Sequence, residues 1–130
     1  METSPLSPAE DRLTHEIIGG SFEVHDFLKN GMFESTYEAC LARELTLRGL
    51  SVERQVPVPL VYKSCHLEVG YRIDLLVERT VLVEVKSVER LHPITTAQVV
   101  TYLRLSGLHV GLILNFNVER MKDGIRRIVL

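Results

Sequence analysis

Two stretches decide the fold: Tyr71-Arg72-Ile73-Asp74-Leu75-Leu76-Val77 and Val81-Leu82-Val83-Glu84-Val85-Lys86. Both are short, aliphatic and rich in the residue types that fill strands. Each carries charge where its pattern is most apolar. Side chains alternate faces along a strand, so Glu84 and Lys86 share a face. Burying a carboxylate without a partner is prohibitively costly. Asp74 and Glu84 must therefore be ion-paired, metal-bound or open to a cleft.

The connection between the stretches adds geometry. Glu78-Arg79-Thr80 makes a three-residue loop if the strands form a hairpin. An odd loop keeps Asp74 and Glu84 on one face and sets them directly opposite, with Cβ atoms ~5 Å apart. A two-residue loop would send them to opposite faces. Two carboxylates that close repel unless a cation or a proton lies between them. Hard oxygen ligands suit magnesium or manganese better than zinc. Lys86 beside them can hold a water or offset charge on a phosphate. The competing reading is a sheet face on which Asp74, Glu84, Lys86 and Arg72 pair with one another in solvent. Residue type and spacing leave both readings open.

Working outward, apolar spacing at Leu13, Ile17, Val24 and Leu28 predicts a helix from Asp11 to Lys29, stopped by Asn30-Gly31. Gly19-Gly20 inside it points to close packing on a neighbour. A second helix spans Phe33 to Arg48, with Gly49 as its cap. On it Glu34 and Glu38 fall within the arc of Tyr37, Leu41 and Leu45, so one or both point inward. Glu34 also sits in the first turn, where the helix dipole favours an anion, and is a candidate metal ligand. Its alternative role is to stabilise that turn.

Val52 to Val61 reads as an edge strand because of Pro57 and Pro59, and Leu67 to Val77 as a strand bent at Gly70. Val81 to Val88 follows. Pro93 to Ser106 reads as a helix, Val110 to Phe116 and Ile125 to Leu130 as strands, with a turn at Lys122-Asp123-Gly124. The order α-α-β-β-β-α-β-β implies a mixed sheet flanked by helices, the third helix crossing to a parallel neighbour. That helix is apolar almost all round, from Ile94 to Leu105, which predicts a homodimer. Gln98 and Tyr102 share one of its faces and can reach the face that carries Lys86. A purely structural amide bond from Gln98 is the plainer alternative.

The totals bound the partners. The chain has 130 residues, the size of one domain, and a formal net charge of -2. A protein that grips long duplex DNA unaided shows a basic surface, so contact with nucleic acid needs a local patch, a partner or a second copy. Cys40 and Cys65 form no CxxC, and the five histidines show no ligand spacing. Two free thiols, a polar segment Met1 to Glu10 without signal-peptide order, and no apolar run of ~20 residues predict a cytoplasmic protein off the membrane, frayed over residues 1–10.

The segment Gly31-Met32-Phe33-Glu34-Ser35-Thr36-Tyr37-Glu38 resembles the signature of the GxxExxY proteins. The likeness continues through Tyr71-Arg72-Ile73-Asp74, Val83-Glu84-Val85-Lys86, Ala97-Gln98 with Tyr102-Leu103, and Gly111-Leu112-Ile113-Leu114-Asn115-Phe116. It covers Leu13 to Val129, and several motifs in order make it specific. That family is placed among PD-(D/E)XK nucleases. The resemblance implies an αβββαβ core, Asp74 and Glu84 as metal ligands, Lys86 as the catalytic lysine and Glu34 as the helix-borne acid. Gln98 matches a helix residue near such sites. Ile73 stands where the pattern has Pro, and Lys29-Asn30 departs from the usual approach to Gly31. The implied activity is magnesium- or manganese-dependent cleavage of nucleic acid. The alternatives are a non-catalytic binding module, or another metal-dependent phosphohydrolase, on the same scaffold.

Overall fold

The computed structural model describes residues 5–130, so the expected fraying of 1–10 falls in part on residues outside the description. Helix α1 is Pro8–Leu28 and begins before Asp11. Ser7 Oγ accepts from the Glu10 amide at 3.1 Å, and Glu10 Oε1 accepts from the Ser7 amide at 2.8 Å. This reciprocal capping box, with Pro8 in the first turn, satisfies donors that a helix start otherwise leaves orphaned. Pro8 to Glu10 are thus helical rather than frayed.

Helix α2 is Glu34–Leu47, and Gly49 follows it at φ 85°. A Cβ on Gly20 would lie 2.8 Å from Leu45 Cδ2, and one on Gly19 3.0 Å from Arg48. The glycine pair lets α1 and α2 approach closely, as the sequence indicates.

The remaining elements are β1 (Val52–Pro57), β2 (Leu60–Tyr62), β3 (Cys65–Leu67), β4 (Arg72–Val77), β5 (Val81–Lys86), α3 (Pro93–Ser106), β6 (Val110–Asn115) and β7 (Ile125–Val129). Two expected strands are each divided. Pro59 has no amide to donate, and β1 ends at Pro57 on the edge of the sheet. Gly70 turns the chain at φ 79°, so β4 begins only at Arg72. Between them β2 and β3 form a separate hairpin, turned by Lys63 and Ser64 at φ 48° and 67°.

Among the described residues the main sheet has the order β1-β4-β5-β6-β7. β5 and β6 run parallel, joined by α3, and the other neighbours are antiparallel. One face packs Leu75, Val83 and Leu112 against Ile17, Leu41 and Leu45 of α1 and α2. The other packs Leu82 and Ile113 against Val99, Tyr102 and Leu103 of α3. Each such side chain stabilises the fold by roughly 1.5–3 kcal/mol through burial. The fold itself covers much of the apolar surface of α3 that argued for a second copy; Ile94 stays 63% exposed.

The 3-10 turn Met121–Gly124 tests the packing near the strand ends. A Cβ on Gly124 would fall 1.9 Å from the Asn115 carbonyl oxygen. Asn115 in turn clamps the chain after β5: its Oδ1 accepts from the Val88 amide at 3.1 Å and its Nδ2 donates to Val88 O at 3.0 Å. Gly124→Ala is expected to cost about 1–3 kcal/mol or more by overpacking. Urea denaturation measures this, and an unchanged midpoint would contradict the close approach.

Candidate active site

The sheet opens at Asp74. The β4–β5 ladder pairs Val77↔Val81, Leu76↔Leu82 and Leu75↔Val83 around a loop of Glu78, Arg79 and Thr80. Continued by one step, that register sets Asp74 opposite Glu84, but the ladder stops there. The β1–β4 ladder also skips a step, between Arg54↔Leu75 and Val56↔Ile73. The skipped residue, Gln55, has a left-handed backbone at φ 53°. Strict alternation would pack Ile73 with Leu75 and Val77; instead it joins Leu76 and Leu82 on the α3 side. The Asp74 carboxylate takes up the groups left by the parted strands. Its Oδ2 accepts from the Val85 amide at 2.9 Å and its Oδ1 from Gln55 Nε2 at 3.2 Å.

Glu84 lies in the opening and is only 6% exposed. Its Oε1 is buried and has no hydrogen-bond partner among the described residues. Lys86 Nζ stands 3.9 Å from its other oxygen, Oε2. Burial, and next the charge of Asp74, push the Glu84 carboxyl up to about 8, with a smaller push from Glu34; Lys86 pulls the other way and is outweighed. At neutral pH this carboxyl therefore keeps a proton unless a cation takes the proton's place.

Glu34 approaches from the start of α2. Its side chain is exposed, and its Oε2 accepts from the Ser87 amide at 3.3 Å. Its position is set by Tyr37, fully buried and stacked on Phe116 at 4.5 Å. The Tyr37 hydroxyl donates to Lys29 O and accepts from the Met32 amide at 3.2 Å, which pins the loop before α2. Met32 O accepts from Ser87 Oγ at 2.7 Å. Among the described residues no three His, Cys, Asp or Glu side chains converge as a metal-holding cluster. Asp74 and Glu84 come together; Glu34 stays on the Ser87 amide, near enough to act on Glu84 by charge alone.

From the other side, Gln98 Nε2 donates to Tyr102 Oη at 2.9 Å. Burial, and next the negative charge of Glu84, raise the Tyr102 phenol above its usual range. Gln98 therefore bonds Tyr102, and Tyr102 is the group that feels the carboxylates.

Glu38, Gln55, Ser87 and Asn115 complete the surroundings without having been singled out as site residues. Glu38 is buried; its Oε1 accepts from Gln55 Nε2 at 2.8 Å and its Oε2 pairs with Arg54 at 3.0 Å. Gln55 thus bridges Glu38 and Asp74. The inward arc of α2 was a signal for Glu38. A left-handed glutamine inside a strand has no sequence signal.

A buried Glu84 with one unpartnered oxygen beside Asp74, and a lysine two residues on, agree with a comparison against family models. The model of the PD-(D/E)XK nuclease superfamily matches residues 11–128. The chain belongs to this superfamily. The mixed five-stranded sheet flanked by helices is the fold expected of it. No curated protein and no solved structure matches the chain.

The donor set fits a divalent cation. Two carboxylates meet, one of them with an unsatisfied buried oxygen, and all candidate ligand atoms are hard oxygens that suit magnesium or manganese.

Proposed function

We propose that the protein is a divalent-cation-dependent nuclease that hydrolyses phosphodiester bonds of nucleic acid. The carboxylate pair carries the reading: Glu84 is buried beside Asp74 with an oxygen that no described residue satisfies. Membership of a nuclease superfamily supports it, and so does the Gly31–Tyr37 segment, which favours the GxxExxY group within it.

Asp74 and Glu84 would hold magnesium or manganese. When bound, such an ion polarises the phosphate and lowers the pKa of a water. The chain's own residues supply the rest. Gln55 and the Val85 amide hold the Asp74 carboxylate in one orientation. In hydrolysis water oxygen joins phosphorus, the ester P–O bond breaks, and the leaving oxygen takes a proton. Negative charge builds on the phosphoryl oxygens meanwhile, and the Lys86 ammonium is placed to stabilise it. Glu34 adds negative charge at the rim, and Gln98 orients the Tyr102 hydroxyl.

A binding module without turnover is the second reading, favoured by the net charge of -2. Calorimetric titration with manganese tests the site common to both. Wild type is expected to bind and Asp74→Ala to lose binding at least tenfold. Equal binding by the two proteins would remove Asp74 from the site. Turnover that EDTA abolishes separates the nuclease from the binding module.

A further inference from the structure

The region between the carboxylates and the β2–β3 hairpin has the chemistry of a nucleotide subsite. Tyr102, beside Glu84, is in ring contact with Tyr71 at 5.7 Å between centroids, tilted by 44°. Tyr71 keeps 43% of its surface open to solvent. It forms one wall of a cleft of about 450 Å³ under the hairpin, bounded also by Pro57, His66 and Arg72. That volume falls within the roughly 300–1,000 Å³ of ordinary ligand sites. Tyr62 on the hairpin is 60% exposed, and Lys63 Nζ lies 5.4 Å from its ring centroid. Across the site Phe33, next to Glu34, is 82% exposed. An exposed ring at Tyr71 and a cation at Arg72 thus line the cleft, and Tyr71 connects through Tyr102 to the side of Glu84.

Rings of this kind stack on bases, which requires that the bases be unpaired. A duplex hides its base faces and is held through phosphates by a broad basic surface. The chain has 15 Lys and Arg against 17 Asp and Glu, so its totals provide no such surface.

We infer that the cleft under the β2–β3 hairpin, entered over Tyr71, holds an unpaired nucleotide, and that the site takes single-stranded rather than duplex nucleic acid. The inference rests on the nuclease reading for the site's chemistry, but its test does not depend on turnover. A base stacks on Tyr71, and Arg72, which lines the same cleft, faces the phosphate of that strand. His66 and Glu68 are the other titratable groups at the cleft.

The test is fluorescence anisotropy with labelled oligonucleotides in EDTA, where binding is read without cleavage. Single strands are expected to bind at least tenfold tighter than a duplex of the same sequence. Tyr71→Ala should weaken single-strand binding by roughly fivefold or more, the effect of losing one stacked base, while Tyr71→Phe keeps it. Should Tyr71→Ala fail to fold by circular dichroism, Tyr71→Leu, which keeps apolar bulk and removes the ring, is expected to show the same loss. DNA and RNA versions of the strand assign the sugar. Duplex binding as tight as single-strand binding overturns the inference, as does a folded Tyr71→Ala with wild-type affinity. Single-strand preference without cleavage in magnesium would instead overturn the nuclease reading alone.

Discussion

Lys86→Ala is expected to lose cleavage activity by on the order of a hundredfold or more, the effect of removing one electrostatic donor from a transition state. The same variant should fold and should still bind metal, because lysine is not a ligand. A structural ion pair would behave differently. Breaking a buried pair leaves an uncompensated charge and costs about 3–5 kcal/mol. Here Glu84 already holds its proton near neutrality, since burial and Asp74 outweigh Lys86 at 3.9 Å. Removing the ammonium therefore strands little charge. Activity, manganese titration and thermal unfolding of this one variant separate the two roles. A large fall in melting temperature, with the activity that remains per folded molecule unchanged, would assign Lys86 to structure.

Glu84→Gln is expected to change how stability depends on pH. The Glu84 carboxyl moves from 4.5 when unfolded to about 8 when folded. Its raised folded pKa stabilises the chain fully below 4.5, and this contribution is lost as pH rises through 8. At about 1.4 kcal/mol per pKa unit the loss reaches several kcal/mol at most. Metal-free wild type should therefore weaken between pH 5 and pH 8.5, and Glu84→Gln should weaken less. Magnesium at pH 8 should restore wild type, by about 2.7 kcal/mol at a hundred times its dissociation constant, and do little for Glu84→Gln. Denaturation midpoints across that range decide it. Parallel curves for the two proteins, with and without magnesium, would show that Glu84 neither holds the proton nor helps to bind the ion.

Much of this architecture could be read in the chain because it follows from local rules. The three-residue loop at Glu78–Thr80 fixes the β4–β5 register by parity. Gly19-Gly20 marks the contact of α1 with α2, and Pro93 and Gly107 bracket α3. Other features depend on tertiary context. Lys63 and Ser64 turn the β2–β3 hairpin with left-handed backbones that neither residue type favours, so the sequence reads Val52 to Val61 as one strand and begins the next only at Leu67. The capping box at Ser7 and Glu10 was legible but lay hidden in a polar segment with two prolines. At the site, face sharing along a strand placed Glu84 with Lys86. The parting of the sheet at Asp74 was not legible, because it depends on Gln55 adopting a conformation that glutamine rarely takes. For the same reason the bridge from Glu38 through Gln55 to Asp74 emerges only from the fold. Glu34, expected among the metal ligands, has its carboxylate at the Ser87 amide, an arrangement that the helix spacing does not foretell.

The most direct measurement is cleavage of an end-labelled single strand by purified protein, in magnesium or manganese and again in EDTA, beside Asp74→Ala and Lys86→Ala. The account predicts cleavage by wild type with the cation, none in EDTA, and loss in both variants while each remains folded. Cleavage that persists in EDTA or in folded Asp74→Ala, or its complete absence from wild type that binds manganese, would contradict a metal-dependent nuclease centred on Asp74, Glu84 and Lys86.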